Sequence, residues 1–246
     1  MAARAALASV TVYGPPTSRV CKVLWALGEA NIPCTRVETP IPQLKQDRSY
    51  LALNPKGTVP TAVFDLRTGA GPGTALVLNE SNTIVSYIAH KYGAGTALYP
   101  ASPERLATAW QWLEWAESSV QPTLSPVWVG LMRGDGFPSG KGHALEVTLG
   151  ADGKPQRVNG VEVVRALKVW EALEKHLGAG ERAYVLGADF SLADVTAGIH
   201  ANRLFHIPAE KLGHDPAGMF PSVHAWYRRL CERPGFQAYV IPQGSG

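Results

Sequence analysis

The chain has 246 residues, with 23 Lys and Arg against 20 Asp and Glu for a net charge of +3. That balance excludes the dense positive charge needed to track a phosphate backbone, so nucleic acid is not an expected partner. Hydrophobic residues at 46% and charged residues at 17% exclude a disordered chain, and a chain of this size buries roughly 70% of its unfolded surface without disulfide or metal staples.

The run from Ser9 to Tyr13 alternates and is β-branched, which predicts a strand. Gly14-Pro-Pro-Thr-Ser18 breaks it, after which Val20, Cys21, Val23, Leu24 and Leu27 recur at helical spacing. Ile32 to Val37 reads as a second short strand, closing a β-α-β unit with an expected right-handed crossover. A polar stretch around Gln43 to Tyr50 leads into Asn-Pro-Lys-Gly-Thr-Val-Pro at 54–60, and Thr61, Val63 and Phe64 begin a third strand. Ala75 to Leu78 is its hairpin partner across a Gly-rich loop. Asn79-Glu80-Ser81 then opens a helix carrying Ile84, Val85, Tyr87, Ile88 and Tyr92 on one face.

The pattern changes at 93–103, a linker by its Gly, Pro and Ala content. Glu104 to Val120 is a predicted helix with Trp110, Trp112 and Trp115, and Trp128 to Arg133 continues helically. A Gly-rich insertion at 134–160 interrupts the helices, which resume at Val161–Leu177, Ser191–Phe205 and Ser222–Cys231. The expected fold class is α/β plus all-α: a domain at 9–92 ordered β-α-β-α-β-β-α, the linker, and an all-helical domain at 104–246. Many of the 25 glycines and 19 prolines fall in the hairpin loop, the linker and the insertion.

Three cysteines without C-x-x-C spacing give no disulfide framework, and seven scattered histidines give no metal site. No stretch reaches the ~20 apolar residues of a membrane helix, and a strand starting at Ser9 leaves no room for a leader, so a cytoplasmic protein is expected.

Ser18 stands between a strand end and a helix start, where unpaired N–H groups and the helix dipole favour an anion. A plain helix cap by Ser18 or Thr17 is the competing reading. Val59-Pro60 is a candidate cis bond, against an ordinary trans proline at an edge strand. Ser81 has cap chemistry and Glu80 precedes it, outside the first turn where a merely dipole-friendly acid belongs. Ser191 and Asp194 have capping-box spacing and are read as folding residues, not catalytic ones.

P-P-T-S-R-V-C-K-V-L-W-A-L, N-P-K-G-T-V-P, N-E-S-N-T-I-V-S-Y-I-A and F-S-L-A-D-V-T-A-G, in this order across about residues 9 to 240, resemble the glutathione transferases, and most of all their bacterial-type, theta-, beta- or nu-like members with a serine at the first turn. The resemblance implies a thioredoxin-like amino domain, an all-helical carboxyl domain, a homodimer, and a detoxifying enzyme that ionises the thiol of glutathione for transfer to a small electrophile or for reduction of a peroxide or disulfide. It implies Ser18 as thiolate donor, with Thr17 as the alternative, and a backbone pairing of Val59, before Pro60, with the cysteinyl part of glutathione. Glu80 and Ser81 then hold the γ-glutamyl end. Family members often carry Gln or Lys where this chain has Thr58, so Lys56 or Lys45 becomes the candidate for the missing positive charge. The acceptor is expected between the domains, near Tyr13, Trp110, Trp128 and Met132, with the 134–160 insertion nearby. Two other readings stay open: a non-catalytic scaffold that keeps the fold for protein contacts, and an oxidoreductase using its own Cys21, which the missing C-x-x-C disfavours.

Overall fold

The structure is a computed structural model that describes residues 6–67, 74–96, 98–100, 102–132, 148–149, 155–157, 160–180 and 182–240. The described residues group into two compact units, one up to Tyr99 together with the segment from Pro234, the other from Pro100 to Arg233.

The first unit is built on a four-stranded mixed sheet of β1 (Ala6–Tyr13), β2 (Thr35–Val37), β3 (Thr61–Arg67) and β4 (Thr74–Asn79), ordered β2-β1-β3-β4. β1 runs parallel to β2 and antiparallel to β3, which is antiparallel to β4. α1 (Cys21–Glu29) and α4 (Ser81–Tyr92) pack on each other, burying Val23, Leu24, Leu27, Ile84, Val85 and Ile88. This is the thioredoxin-like plan, and it places the turn into α1 after β1 and the start of α4 right after β4.

Between β2 and β3 the polar stretch holds two short helices, α2 (Ile41–Leu44) and α3 (Arg48–Leu53). Each buries one side chain, Leu44 and Tyr50, too few to give a helical period. Asp47 starts α3 by accepting from the N–H groups of Ser49 and Tyr50. The loop at 68–73 lies outside the described residues.

The second unit contains α5 (Pro103–Trp115), α6 (Gln121–Met132), α7 (Gly160–Lys168), α8 (Glu171–Gly178), α9 (Leu192–His206), α10 (Ala209–Leu212), α11 (Pro216–Met219) and α12 (Pro221–Cys231). α9 is buried on every side from Leu192 to Asn202 and forms the centre of the unit, as expected for a helix without a polar face. Trp112, Trp115 and Trp170 stack edge to face across α5 and the start of α8, with centroids 5.2 and 5.6 Å apart. These rings are packing, as their helical spacing indicates. A two-residue strand, β5 (Thr148–Leu149), pairs antiparallel with β6 (Pro155–Arg157), so the helical unit carries a small ribbon inside the Gly-rich insertion. The rest of 134–159 lies outside the described residues.

The last helix, α13 (Pro234–Tyr239), belongs to the first unit. Its Phe236 ring meets Trp25 of α1 edge-on at 4.9 Å, and a Cβ on Gly235 would lie 2.7 Å from Trp25 Cδ1. The carboxyl-terminal end of the helical half of the sequence therefore covers α1, a return that six residues carry without a periodic signal.

A candidate binding site at one end of the sheet

The strand register places Val37, Tyr13, Thr61 and Asn79 in one row across all four strands. The three segments singled out from the sequence leave the sheet just beyond this row: Gly14 to Val20 after β1, Asn54 to Pro60 before β3, and Glu80-Ser81 after β4. Strand pairing alone brings together residues more than sixty positions apart in the chain.

Gly14 joins the first two segments. Its N–H donates to Val37 C=O at 2.9 Å, and its φ of +116° is closed to ordinary side chains. A Cβ there would sit 2.7 Å from Val59 Cβ and 3.0 Å from Val20 Cγ2. Gly14→Ala is expected to cost about 2–4 kcal/mol through strain and clash together. Chemical denaturation checks this.

Ser18 has extended backbone, φ −107° and ψ −168°, inside the turn Pro16–Val20, so the regular helix starts after it. Its hydroxyl donates to Pro15 C=O at 2.7 Å and accepts from Val20 N–H at 3.3 Å. The serine is half-buried, whereas Thr17 is exposed. Cys21, a turn further on, is buried against the core.

The Val59–Pro60 bond is cis. Both residues are buried, and neither the N–H nor the C=O of Val59 has a hydrogen-bond partner among the described residues. Three residues that the sequence reading passed over hold this loop. Asn54 Nδ2 donates to Thr58 C=O at 2.8 Å and to Thr61 Oγ1 at 3.0 Å, while its Oδ1 accepts from Lys56 N–H. Tyr50 donates its hydroxyl to the same Thr58 carbonyl and lies 2.9 Å from Thr61 Oγ1. An Asn before Pro, prone to bond its own turn, was the available signal for Asn54. The partners Tyr50 and Thr61 are fixed only by the fold. The Thr58 side chain itself is exposed.

At the third segment the structure corrects the assignment of the cap. Ile84 N–H donates to Glu80 C=O, which closes the first turn and makes Glu80 the residue before the helix. Ser81 is the first helical residue and makes no capping bond. Glu80 has φ +68°, unusual for a residue with a side chain and typical of backbone held for function. Its Oε1 lies 2.9 Å from Lys56 Nζ, the two side chains being 61% and 54% exposed for Lys56 and Glu80. Ser81 is buried, and its hydroxyl has no partner among the described residues. The Lys45 stem lies against Gly57, where an added Cβ would be 3.2 Å from Lys45 Cγ, and its side chain is exposed.

Ser18, Thr17, Lys56, Thr58, Val59, Pro60, Glu80 and Ser81 therefore all lie on the segments that leave one end of the sheet. Tyr13, last in β1, is partly exposed with its ring 5.7 Å from that of Tyr50. The other expected acceptor residues lie in the second unit: Trp110 is 51% exposed on α5, Met132 is partly exposed at the end of α6, and Trp128 is buried in the core at 6%. Trp128 thus serves packing, because a ring this buried has little surface left to offer a ligand. Among the described residues no cluster of His, Cys, Asp and Glu has the makings of a metal site, and no helix is long and apolar enough to cross a membrane.

The geometry provides an anion-friendly helix start, an exposed carboxylate paired with a lysine, and an unpaired backbone N–H and C=O at Val59, elements suited to holding a short charged peptide. Comparisons with known proteins agree. Residues 19–91 match the model of the glutathione S-transferase N-terminal domain and 157–229 that of the C-terminal domain. Glutathione S-transferase GstB of Escherichia coli K12 is 27% identical over 94% of this chain and 98% of its own length. The disulfide-bond oxidoreductase YfcG of the same organism is 26% identical over 92% of this chain and 91% of its own. The theta class glutathione S-transferase of Xanthomonas axonopodis pv. citri, solved with glutathione bound, superposes with a TM-score of 0.70 at 29% identity, covering 95% of this chain and 97% of that one. With family models matching in both halves and together spanning more than half the sequence, the chain belongs to the glutathione S-transferase family.

Proposed function

We propose that this protein is a glutathione transferase that binds glutathione along the sheet end, ionises its thiol and adds the sulfur to an electrophile. The observation that carries the reading is the convergence of Ser18, the unpaired Val59 backbone and the Glu80-Ser81 helix start on one row of strand ends.

A free thiol has a pKa of about 8.5, so only a few per cent is thiolate at neutral pH. A hydrogen-bond donor at a helix start stabilises the anion and lowers that value. Ser18 suits this task because Val20 N–H anchors its oxygen while the O–H bond is free to rotate from Pro15 C=O toward a bound sulfur. Thr17, exposed and one residue earlier, is the alternative donor. The Val59 N–H and C=O suit pairing with the cysteinyl residue as an added strand. Glu80 suits the γ-glutamyl ammonium, and Ser81 with the start of α4 suits the adjacent carboxylate. Since Lys56 is drawn to Glu80, Lys45 beside Gly57 is the better candidate for the glycyl carboxylate.

In conjugation the thiolate forms a carbon–sulfur bond as the carbon–halogen bond of the acceptor breaks, and the halide leaves with the electron pair. Within the first unit, Tyr13 keeps partly exposed ring surface of the kind an acceptor contact requires; within the second unit taken by itself, Trp110 and Met132 keep such surface as well. A homodimer working in the cytoplasm in detoxification is the setting that family membership implies.

A second reaction is favoured by one observation, the similarity to a protein named as a disulfide-bond oxidoreductase. Glutathione thiolate would there attack a substrate disulfide, forming a mixed disulfide with glutathione as one substrate thiol leaves, and a second glutathione thiolate would attack the glutathione sulfur of that mixed disulfide, releasing the other substrate thiol and leaving oxidised glutathione. Steady-state assays with a chloronitroaromatic, a hydroperoxide and a mixed disulfide sort the reactions. No turnover with any of them, together with no retention on immobilised glutathione, would leave a scaffold as the better account. Cys21→Ser is expected to change kcat by less than about twofold, since the thiol is buried and packs the helix start. Loss of activity in that variant would instead make the protein's own cysteine the reactive group.

A further inference from the structure

The segment leading into β3 hangs on a buried polar ring whose two hydroxyls the chemistry above does not use. Tyr50, the one side chain that α3 buries, is 1% exposed, and Asn54 and Thr61 are 0% exposed. A phenylalanine at position 50 would fill nearly the same space, whereas a buried hydroxyl costs free energy unless it is bonded. Counting hydrogens fixes the direction of every bond in the ring. The Thr58 carbonyl can only accept, so the single Tyr50 hydroxyl hydrogen goes there. The Thr61 hydroxyl, 2.9 Å from Tyr50 Oη, must then donate to it, which leaves Thr61 Oγ1 to accept from Asn54 Nδ2 at 3.0 Å. The other Asn54 Nδ2 hydrogen goes to the same Thr58 carbonyl at 2.8 Å. The ring closes with each hydrogen placed once and two donors on one oxygen. Thr58 C=O and Val59 N–H are opposite ends of one planar peptide group. Holding the carbonyl toward the buried ring therefore aims the Val59 N–H the other way, where it has no partner among the described residues.

We propose that Tyr50 and Thr61 are positioning residues that aim the Val59 N–H at the cysteinyl part of glutathione. The Tyr50 hydroxyl holds the Thr58–Val59 peptide plane directly. Thr61, the first residue of β3, orients that hydroxyl and ties the ring to the strand. Both act through Val59 and not on the sulfur. The inference rests on the reading of this sheet end as the glutathione site.

Calorimetric titration with glutathione, together with amide hydrogen exchange by NMR in the free and the saturated protein, tests it. In the wild type, glutathione is expected to slow exchange at Val59 by about tenfold or more. Tyr50→Phe and Thr61→Val are expected to weaken glutathione by about three- to tenfold, the size of one misaimed hydrogen bond. At saturation they should cut the slowing at Val59 by a similar factor and leave that at Ser81 unchanged. KM for glutathione should rise accordingly, with kcat changed less than about twofold, and Thr61→Ser, which keeps a hydroxyl, should keep wild-type affinity. Tyr50→Phe removes one oxygen and leaves the ring packed, so it decides the matter even if Thr61→Val fails to fold. Folded variants that keep wild-type affinity overturn the role of Tyr50 and Thr61, as do variants that lose affinity with the slowing at Val59 unchanged or reduced equally at Ser81. A wild-type protein that binds glutathione without slowing exchange at Val59 overturns the proposal too. One that does not bind glutathione overturns the glutathione site itself.

Discussion

Ser18→Ala is expected to lower turnover near neutral pH by roughly 10- to 100-fold, with a much smaller change in glutathione affinity. One hydrogen bond to a charged acceptor is worth about 1.5–3 kcal/mol, felt by the thiolate and hardly by the neutral thiol. Helix capping complicates the variant, since the same oxygen accepts from Val20 N–H and its loss costs about 1 kcal/mol of stability. Ser18→Asp separates the two roles. Aspartate can still accept from Val20 N–H but cannot donate to Pro15 C=O, so thermal stability should fall no further than in Ser18→Ala. An acceptor-only carboxylate beside the sulfur repels a thiolate, so activity should fall below that of Ser18→Ala. If both variants retain wild-type turnover, the hydroxyl is a cap and nothing more, and Thr17→Val becomes the next substitution to assay.

The largest effect on stability is expected at Asp194, in the second unit. Its carboxylate is 0% exposed. Oδ1 accepts from Val185 N–H at 2.9 Å and Trp226 Nε1–H at 2.8 Å, and Oδ2 from Ser191 N–H at 2.8 Å and the Ser191 hydroxyl at 3.0 Å. With the reciprocal bond from Ala193 N–H to Ser191 Oγ, this forms the capping box of α9. It also ties α12 and the Val185 turn to the central helix. Asp194→Ala strands several buried donors at about 1–3 kcal/mol each before relaxation, so a loss of about 3–5 kcal/mol is expected. Differential scanning calorimetry should show the melting temperature falling by roughly 10 °C.

The pH dependence has a definite sign. Burial pushes the Asp194 carboxyl up from 3.8 to about 6, against the four donors that pull it down. Between those values the native state holds the proton more tightly than the unfolded state. The stability drawn from this group therefore falls as pH rises from about 4 to about 6 and is level above. Asp194→Asn abolishes that slope, so the gap between wild type and variant should be wider at pH 4.5 than at pH 7.5.

The capping box shows which features a sequence discloses. Ser191 and Asp194 are three residues apart, and local spacing specifies their mutual bonds. The strands and the long helices were legible for the same reason, through alternation at 9–13 and helical recurrence at 20–27. Residues whose partners lie far along the chain were not. Nothing near Asn54 announces that its amide and the Tyr50 hydroxyl meet on Thr58 C=O and Thr61 Oγ1, and nothing near Lys22 announces its hydrogen bond to Asn82, sixty positions on. Short elements escaped too, because α2 and α3 bury one side chain each. The start of α4 was misread by one residue, since Ser81 has cap chemistry while the positive φ of Glu80 is invisible until the backbone is traced. The candidate site was legible as three motifs, but their meeting at one sheet end depends on the register of β1, β3 and β4.

A sheet end that ionises the thiol of bound glutathione shows itself when that thiol is titrated. Difference absorbance of the thiolate, followed with pH on the saturated wild-type protein, should give an apparent pKa below about 7.5, against about 8.5 for a free thiol. Ser18→Ala should bring the value back toward that of the free thiol. A bound thiol that titrates like free glutathione in the wild-type protein would contradict the account.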